Sequence, residues 1–173
     1  DAKGMMISAI ESEDPIIFME PKRIYRAIKQ EVPDEKFTLP LGKAKVLKEG
    51  TDVTVIAFGA TVRESQKAIA MAEEAGISVE LIDLRSIYPI DRETIGNSIR
   101  KTGRMVAVAE AHESFSVGSE LIAIANEEAF LSLESPPRRV MGYDTIVPLA
   151  QGEKYYIISP ERIFYEIEKS FKY

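Results

Sequence analysis

The sequence contains no cysteine and only one histidine, His112, among its 173 residues. The absence of cysteine excludes a thiolate nucleophile, cysteine-ligated zinc and an iron–sulfur cluster. A single histidine also excludes every site that needs two imidazoles. We therefore expect that any chemistry in which this chain takes part is completed by groups outside it.

A net positive charge and long apolar stretches are also absent. The formal net charge is −6, the sequence pI is about 5.0 and no basic cluster is present, which argues against nucleic acid and membrane surfaces as partners. No apolar run approaches the roughly 20 residues of a membrane-spanning helix. With 45% hydrophobic and 29% charged residues, the composition is that of a soluble globular protein. The first residue is Asp1 and no signal peptide is recognisable, so we expect a part of a longer protein.

The first 43 residues differ in pattern from the rest. Residues 2–11 have helical spacing, Pro15–Met19 is a short apolar run typical of a strand, and Ile24–Ile28 indicates a helical turn. A single strand has no neighbour to satisfy its backbone groups, so we expect residues 1–30 to be the tail of a preceding domain. Residues 31–43 contain Pro33, Asp34, Pro40 and Gly42 and are predicted to be a linker.

From residue 44 onward, strand patterns alternate with helical patterns. Apolar, β-branched runs predict strands at Ala44–Leu47, Asp52–Gly59, Val79–Leu84, Met105–Ala109 and Arg139–Met141. Helices are predicted between them at residues 62–75, 91–101 and 117–129, and a last helix after Ser159-Pro160-Glu161. This alternation predicts an α/β fold with three layers, in which helices cover both faces of a mostly parallel sheet.

Two loops that follow predicted strands contain residues suited to binding. Phe58-Gly59-Ala60 places a glycine before a helix, as in phosphate-binding turns, although strand termination also explains it. Arg85 and Tyr88 lie beyond the next strand, where they could bind an anion or a subunit. Asp91, in the same loop, is a plausible N-cap, so turn and capping roles explain this segment equally well.

The loop with the only histidine contains the candidate catalytic residues. Glu110, His112 and Glu113 are close in sequence, and a carboxylate beside an imidazole could transfer a proton. Glu110 and His112 are therefore the catalytic candidates. No serine nucleophile elbow or second base accompanies them, and a histidine at the surface or in an interface is the competing interpretation. The sequence predicts no cofactor-binding and no metal-ligating residue.

Five motifs together resemble a known family. They are Asp14–Lys22, Pro40–Ala44, Asp52–Gly59, Asp83–Asp91 and Gly142–Thr145. In order and spacing they resemble the β subunit of thiamine-diphosphate-dependent 2-oxoacid dehydrogenases. The resemblance implies that residues 44–173 form a transketolase C-terminal-like domain and that residues 1–30 are the tail of a pyrimidine-binding domain.

The resemblance also implies a reaction for the parent enzyme. Such enzymes decarboxylate a 2-oxo acid and transfer the acyl group to lipoamide, using thiamine diphosphate and magnesium. Gly142–Thr145 with Pro148 favours a branched-chain substrate over pyruvate. In this family the residues that bind the cofactor lie upstream or in the α subunit, so none maps onto this chain. We expect the chain alone to be inactive and to bind no cofactor.

The partners implied are a second β subunit, the α subunit and the subunit-binding domain of the lipoyl acyltransferase core, in the cytoplasm of a prokaryote or the mitochondrial matrix of a eukaryote. The resemblance suggests docking near the C-terminus, so Lys172 and Tyr173 join Arg85 and Tyr88 as docking candidates. Aromatic residues expected in loops predict pairing of the β subunits: Tyr88, Phe115, Tyr155 and Tyr156.

Two other functions are compatible with the same patterns. One is a stand-alone nucleotide-binding α/β module, which would use the glycine at the end of the first long strand. The other is a domain of a transketolase-like or 2-oxoacid oxidoreductase enzyme, whose complete thiamine site would lie in one chain.

Overall fold

Five strands form one sheet in the computed structural model, which describes all 173 residues. The strands are β1 (Lys45–Lys48), β2 (Val53–Ala57), β3 (Val79–Asp83), β4 (Met105–His112) and β5 (Arg138–Gly142). Their order across the sheet is β1-β3-β2-β4-β5. Only the edge strand β1 is antiparallel to its neighbour, and the other pairs are parallel. The predicted, mostly parallel sheet is confirmed.

Helices cover both faces of the sheet. The helices are α1 (Ala2–Glu11), α2 (Thr61–Glu74), α3 (Arg92–Thr102), α4 (Val117–Ala129), α5 (Ala150–Tyr156) and α6 (Pro160–Phe171), with 3-10 turns at Lys22–Ile24 and Phe130–Ser132. α2 and α6 pack together on one face, and α3 and α4 on the other. This is the predicted three-layer arrangement. None of these helices has both the length and the apolar character needed to cross a bilayer.

The central strand β2 supplies side chains to both layers, and all five of its residues are buried. Val53, Val55 and Ala57 contact the α2/α6 layer, whereas Ile56 belongs to the core under α3 and α4. The sequence of such a strand is a continuous apolar run because neither face is in contact with water. Thr54 is the one polar residue of β2. The hydroxyl of Thr54 is hydrogen-bonded at 2.7 Å to two hydroxyls of α3, from Ser98 and Thr102.

Two predicted helix starts are confirmed by side-chain hydrogen bonds. Asp91 accepts from the backbone N–H of Thr94 at 3.2 Å, and Ser159 accepts from that of Arg162 at 3.4 Å. Asp91 also accepts from the backbone N–H of Ala44 at 3.0 Å, so it fixes the start of α3 against the residue before β1. This buried carboxylate therefore has a structural role.

Three sequence expectations differ from the structure. Pro15–Met19 does not form a strand, because no other strand lies beside it to accept its hydrogen bonds. The helical turn expected at Ile24–Ile28 is a 3-10 turn at Lys22–Ile24 instead. β4 continues to His112 with an irregularity in its pairing after Ala109, so the candidate catalytic residues lie on the strand itself.

A stability prediction follows from the environment of Asp91. Burial alone would raise the pKa of this carboxyl, but hydrogen bonds from Ala44 and Thr94 and the charge of Lys43 outweigh burial and hold the pKa below its ordinary value. Replacing Asp91 by alanine should lower the free energy of unfolding at pH 7 by about 1–2 kcal/mol, because two N–H groups lose their acceptor.

The loss of stability in Asp91→Ala should be present at pH 7 and should disappear at acid pH. A carboxyl group whose pKa is lower in the folded state stabilises the fold at pH values above its unfolded-state pKa of about 3.9. This stabilisation is lost as the pH falls through the folded-state pKa. Urea unfolding of Asp91→Ala and of the intact chain should therefore converge at acid pH. Glu93→Ala, whose side chain is 75% exposed on the same turn, is the control. An effect of Asp91→Ala that is equal at pH 7 and at acid pH would contradict the assignment.

Candidate interaction surface at the carboxyl ends of the strands

The four parallel strands β2 to β5 end at the same edge of the sheet. The segments that follow these strands expose large apolar side chains. Tyr88 follows β3, Phe115 follows β4, and Ile146, Leu149 and Tyr155 follow β5. Their exposed fractions range from 74% to 104%. We call these five residues the carboxyl-edge surface. Apolar side chains concentrated in this way are typical of a site where another molecule binds.

Hydrogen bonds join the loop after β4 to the loop after β5. The backbone N–H and the hydroxyl of Ser114 donate to the two carboxylate oxygens of Asp144, at 3.0 and 2.6 Å. The hydrogen bonds from Ser114 lower the pKa of Asp144, because they favour its charged form. His112 Nε2 donates to the carbonyl oxygen of Thr145 at 2.9 Å. The two loops therefore behave as one unit.

This unit holds Phe115 in an unusual conformation. Phe115 has a φ of 51°, in the left-handed region that an aromatic residue rarely adopts, and its side chain is fully exposed. Strained residues of this kind persist where the surrounding contacts fix them, and they concentrate at functional sites. The adjacent bonds from Ser114 to Asp144 supply that constraint. Phe115 is thus held outward rather than buried.

The base of the loop after β5 is fixed by aromatic contacts. Tyr143 lies edge-on to Tyr156, with ring centroids 6.2 Å apart, and the guanidinium of Arg162 lies 4.8 Å from the centre of the Tyr143 ring. Arg162 also donates to the carbonyl oxygen of Met141 at 2.9 Å. The expectation that Tyr155 and Tyr156 lie in a loop is wrong. Both lie in α5, where Tyr156 is buried and Tyr155 is exposed.

The structure does not form the carboxylate–imidazole pair considered for catalysis. Glu110 is paired with Arg23 at 2.9 Å, and Glu113 is paired with Arg139 at 3.4 Å. His112 uses its ring for the carbonyl oxygen of Thr145. Each carboxylate is therefore paired with an arginine rather than with the histidine.

The phosphate-binding interpretation of Phe58-Gly59-Ala60 also lacks support. Gly59 has a φ of 60°, and a Cβ added there would lie 3.4 Å from the Pro21 side chain, so the glycine serves a turn that Pro21 covers. The first turn of the following helix α2 carries the carboxylate of Glu64. A carboxylate in that position repels the phosphate that a helix N-terminus would otherwise attract. No group of three or more His, Asp or Glu side chains is arranged to hold a metal ion.

The four docking candidates do not lie together. The Arg85 guanidinium contacts the Asp1 carboxylate at 2.5 Å and is 10% exposed, whereas Tyr88 is 94% exposed at the carboxyl edge. Lys172 and Tyr173 follow α6, which begins at the carboxyl edge and ends at the opposite edge of the sheet. Lys172 pairs with Glu168 at 2.6 Å, and Tyr173 is exposed. The candidates thus define two separate surfaces.

Sequence reasoning missed Ser114, Asp144 and Arg23 as residues of this edge. Asp144 was recognised only as a part of the Gly142–Thr145 motif. A turn-forming aspartate directly after a strand was the available signal, since such residues bind backbone N–H groups of nearby loops.

Comparison with known proteins assigns the chain to a family. A model described as the transketolase C-terminal domain matches residues 42–163. The chain belongs to the transketolase C-terminal domain family. A split-gene transketolase, described as an inactive β4 tetramer, superimposes with a TM-score of 0.70 and 28% identity, covering 83% of this chain and 46% of that one. The family resemblance inferred from the five motifs is confirmed.

Curated relatives are named pyruvate dehydrogenase E1 component subunit beta. The Acholeplasma laidlawii protein is 55% identical over 172 residues, covering 99% of this chain and 53% of the relative. The Staphylococcus aureus strain Mu50 protein is 44% identical over 173 residues, covering 100% of this chain and 53% of the relative. The chain spans about half the length of these relatives. Their names do not support the expected branched-chain preference.

A local prediction follows from the bond between the two loops. Replacing Asp144 by alanine should accelerate amide exchange at Ser114 and its neighbours, because Ser114 N–H loses its acceptor, while β2 stays protected. Hydrogen exchange with mass spectrometry measures both. The matched control is Glu153→Ala, an exposed acid on α5 that makes no ion pair. Unchanged exchange at Ser114 in Asp144→Ala would contradict this role.

Proposed function

We propose that this chain is the C-terminal assembly and docking domain of the β subunit of a pyruvate dehydrogenase complex. The carboxyl-edge surface carries the proposal, because its large apolar side chains are exposed and the loop of Phe115 is fixed by the Ser114–Asp144 hydrogen bonds. The two curated relatives support the choice of complex. They also favour pyruvate as the 2-oxo acid that the parent enzyme decarboxylates before acyl transfer to lipoamide.

The chain's own residues do not fit a thiamine diphosphate and magnesium site. The crevice between the ends of β2 and β4 is occupied by Pro21 and Arg23, and no cluster of acidic and histidine side chains is available for the metal. We therefore derive no catalytic step within this domain. In the proposed assembly the cofactor is bound by other parts of the parent protein and by the α subunit.

The proposed partners are a second β subunit, the α subunit and the subunit-binding domain of the acyltransferase core. The exposed apolar residues support pairing between subunits, since aromatic side chains are enriched in the centres of interfaces. The two curated relatives are bacterial, which favours the bacterial cytoplasm over the mitochondrial matrix. Nucleic acid and membranes are not among the proposed partners.

The first test concerns self-association through the carboxyl-edge surface. We expect the chain to sediment as a dimer at micromolar concentration, and Phe115→Ser to weaken association roughly tenfold or more, since anchors at an interface centre contribute most of its free energy. Leu131→Ser is the control, because Leu131 is 97% exposed on the 3-10 turn after α4 and away from this edge.

Circular dichroism should show that both variants are folded. A wild-type chain that sediments as a monomer of 19.3 kDa would count against self-association through this domain. Equal affinities of Phe115→Ser and Leu131→Ser would show that Phe115 does not anchor the contact.

The second test concerns the C-terminus. Deleting Lys172 and Tyr173 should weaken binding of the subunit-binding domain about tenfold, because a desolvated, charged hydrogen bond made by this segment contributes roughly 1.5–3 kcal/mol. The core side chains Ile163 and Ile167 of α6 remain in place, so the fold should be unaffected.

Calorimetry with the isolated subunit-binding domain measures this affinity. Lys172→Ala is the matched control, since it removes the amine but retains Tyr173. If the truncated and complete chains bind equally well, the terminus is not part of the docking site.

A further inference from the structure

The loop between β3 and α3, residues 84–91, binds the end of the segment that the sequence predicts to be a linker. We call it the β3 loop. The backbone N–H of Gly42 donates to the Ser86 hydroxyl at 3.0 Å, and the backbone N–H of Ala44 donates to the Asp91 carboxylate at 3.0 Å. The predicted linker therefore has fixed partners in the β3 loop where it enters β1.

The same segment lies along α1 and is hydrogen-bonded to it. The amine of Lys3 donates to the backbone carbonyl oxygens of Asp34 and Glu35, at 3.1 and 3.0 Å. The Ser8 hydroxyl donates to the carbonyl oxygen of Leu39 at 2.6 Å and accepts from the backbone N–H of Leu39 at 3.1 Å. The segment thus connects α1 to the part of the chain that the β3 loop holds.

The helix and the segment are also closely packed. Gly4 is the buried residue of α1, and a Cβ added there would lie 2.5 Å from the Phe37 ring and 2.9 Å from the Leu39 side chain. Its carbonyl oxygen accepts from the Leu39 N–H at 3.3 Å. This packing fixes the separation of α1 from the segment, because any side chain at Gly4 would push them apart.

A second attachment joins α1 directly to the β3 loop. Asp1 is the N-cap residue of α1, yet its carboxylate accepts no hydrogen bond from the first turn of the helix. The carboxylate contacts the Arg85 guanidinium at 2.5 Å instead, and the amine of Lys45 on β1 at 3.6 Å. An aspartate at an N-cap ordinarily binds a backbone N–H of its own helix. Here its charge makes a contact with the α/β domain.

Arg85 makes this contact from a strained backbone conformation. Its φ is 57°, in the left-handed region, and the Ser86 N–H donates to the Leu84 carbonyl oxygen at 2.5 Å across it. The Asp83 carboxylate fixes the turn by accepting from the Arg85 N–H at 3.1 Å. Strained residues of this kind persist where surrounding contacts hold them, and they concentrate at functional positions. The strain at Arg85 places a nearly buried guanidinium against α1.

We propose that Arg85 is the positioning residue that fixes the orientation of α1 on the α/β domain, through the Asp1 carboxylate. The predicted linker supplies the other attachment, so α1 is held both at its first turn and along its side. In the proposed parent enzyme α1 belongs to the preceding domain, and Arg85 then sets how the two domains lie together. That consequence rests on the proposed function, whereas the contact with α1 does not.

Hydrogen exchange with mass spectrometry tests the contact on the complete chain. Arg85→Ala should accelerate exchange at the amides of α1 and of Leu39 about threefold to tenfold, as expected for the loss of a charged hydrogen bond with one partly exposed partner. The amides of β2 should keep their protection. Arg63→Ala is the matched control, because Arg63 is exposed on α2 and makes no ion pair.

A second variant separates the direct contact from a general loosening of the β3 loop. Asp1→Ala leaves that loop intact and removes no capping bond, so it should accelerate exchange in α1 about as much as Arg85→Ala does. In the Asp1→Ala background, Arg85→Ala should have little further effect, because the two residues act through one contact. An effect of Arg85→Ala that is undiminished in that background would overturn the proposal.

The orientation of α1 can be measured directly because the chain has no cysteine. Spin labels at Ile10→Cys, which is 75% exposed on α1, and at Glu74→Cys, at the exposed end of α2, report the distance between the two helices. The distance distribution should be narrow in the labelled wild type and with Arg63→Ala, and broader with Arg85→Ala. Equal distributions and equal α1 exchange with Arg85→Ala and Arg63→Ala would show that Arg85 does not position the helix.

Discussion

The position of β2 constrains everything else in this domain. β2 is paired on both sides, with β3 and β4, and is buried on both faces, so its five residues have no access to water. Its parallel neighbours end at the same edge, because all of them run in the same direction. The loops that display Tyr88, Phe115 and Ile146 therefore converge without any sequence signal that links them.

Polar contacts at this edge determine how the apolar residues are displayed. Ser114 and Asp144 connect the loops after β4 and β5, and Arg162 supports Tyr143 beneath them. A hydrogen-bonded carboxylate costs less to order than a free one, and the rigid loop then presents its aromatic side chain with less entropy to lose on binding. Rigidity at the base and exposure at the tip suit recognition of a partner.

Elements specified by nearby residues could be predicted from the sequence. β2 was predicted from its apolar run, and the starts of α3 and α6 from Asp91 and Ser159, because capping bonds reach only three residues. Contacts between distant residues could not be predicted. Ser114 and Asp144 are 30 residues apart and Arg23 and Glu110 are 87 apart, so only the completed sheet brings them together.

The error at Tyr156 has a related cause. Tyr155 and Tyr156 are adjacent, and on a helix adjacent residues differ in direction by about 100°. Without knowledge of α5 and of Tyr143, the sequence does not reveal which ring is buried. The same reasoning applies to the candidate pair Glu110 and His112. Two residues apart on β4, they share a face in an ideal strand, yet each carboxylate near the histidine is neutralised by an arginine from a distant part of the chain. With Arg23 on Glu110 and Arg139 on Glu113, the charges at this edge are used to hold loops in place. These ion pairs therefore order the loops that carry the exposed apolar side chains of the edge.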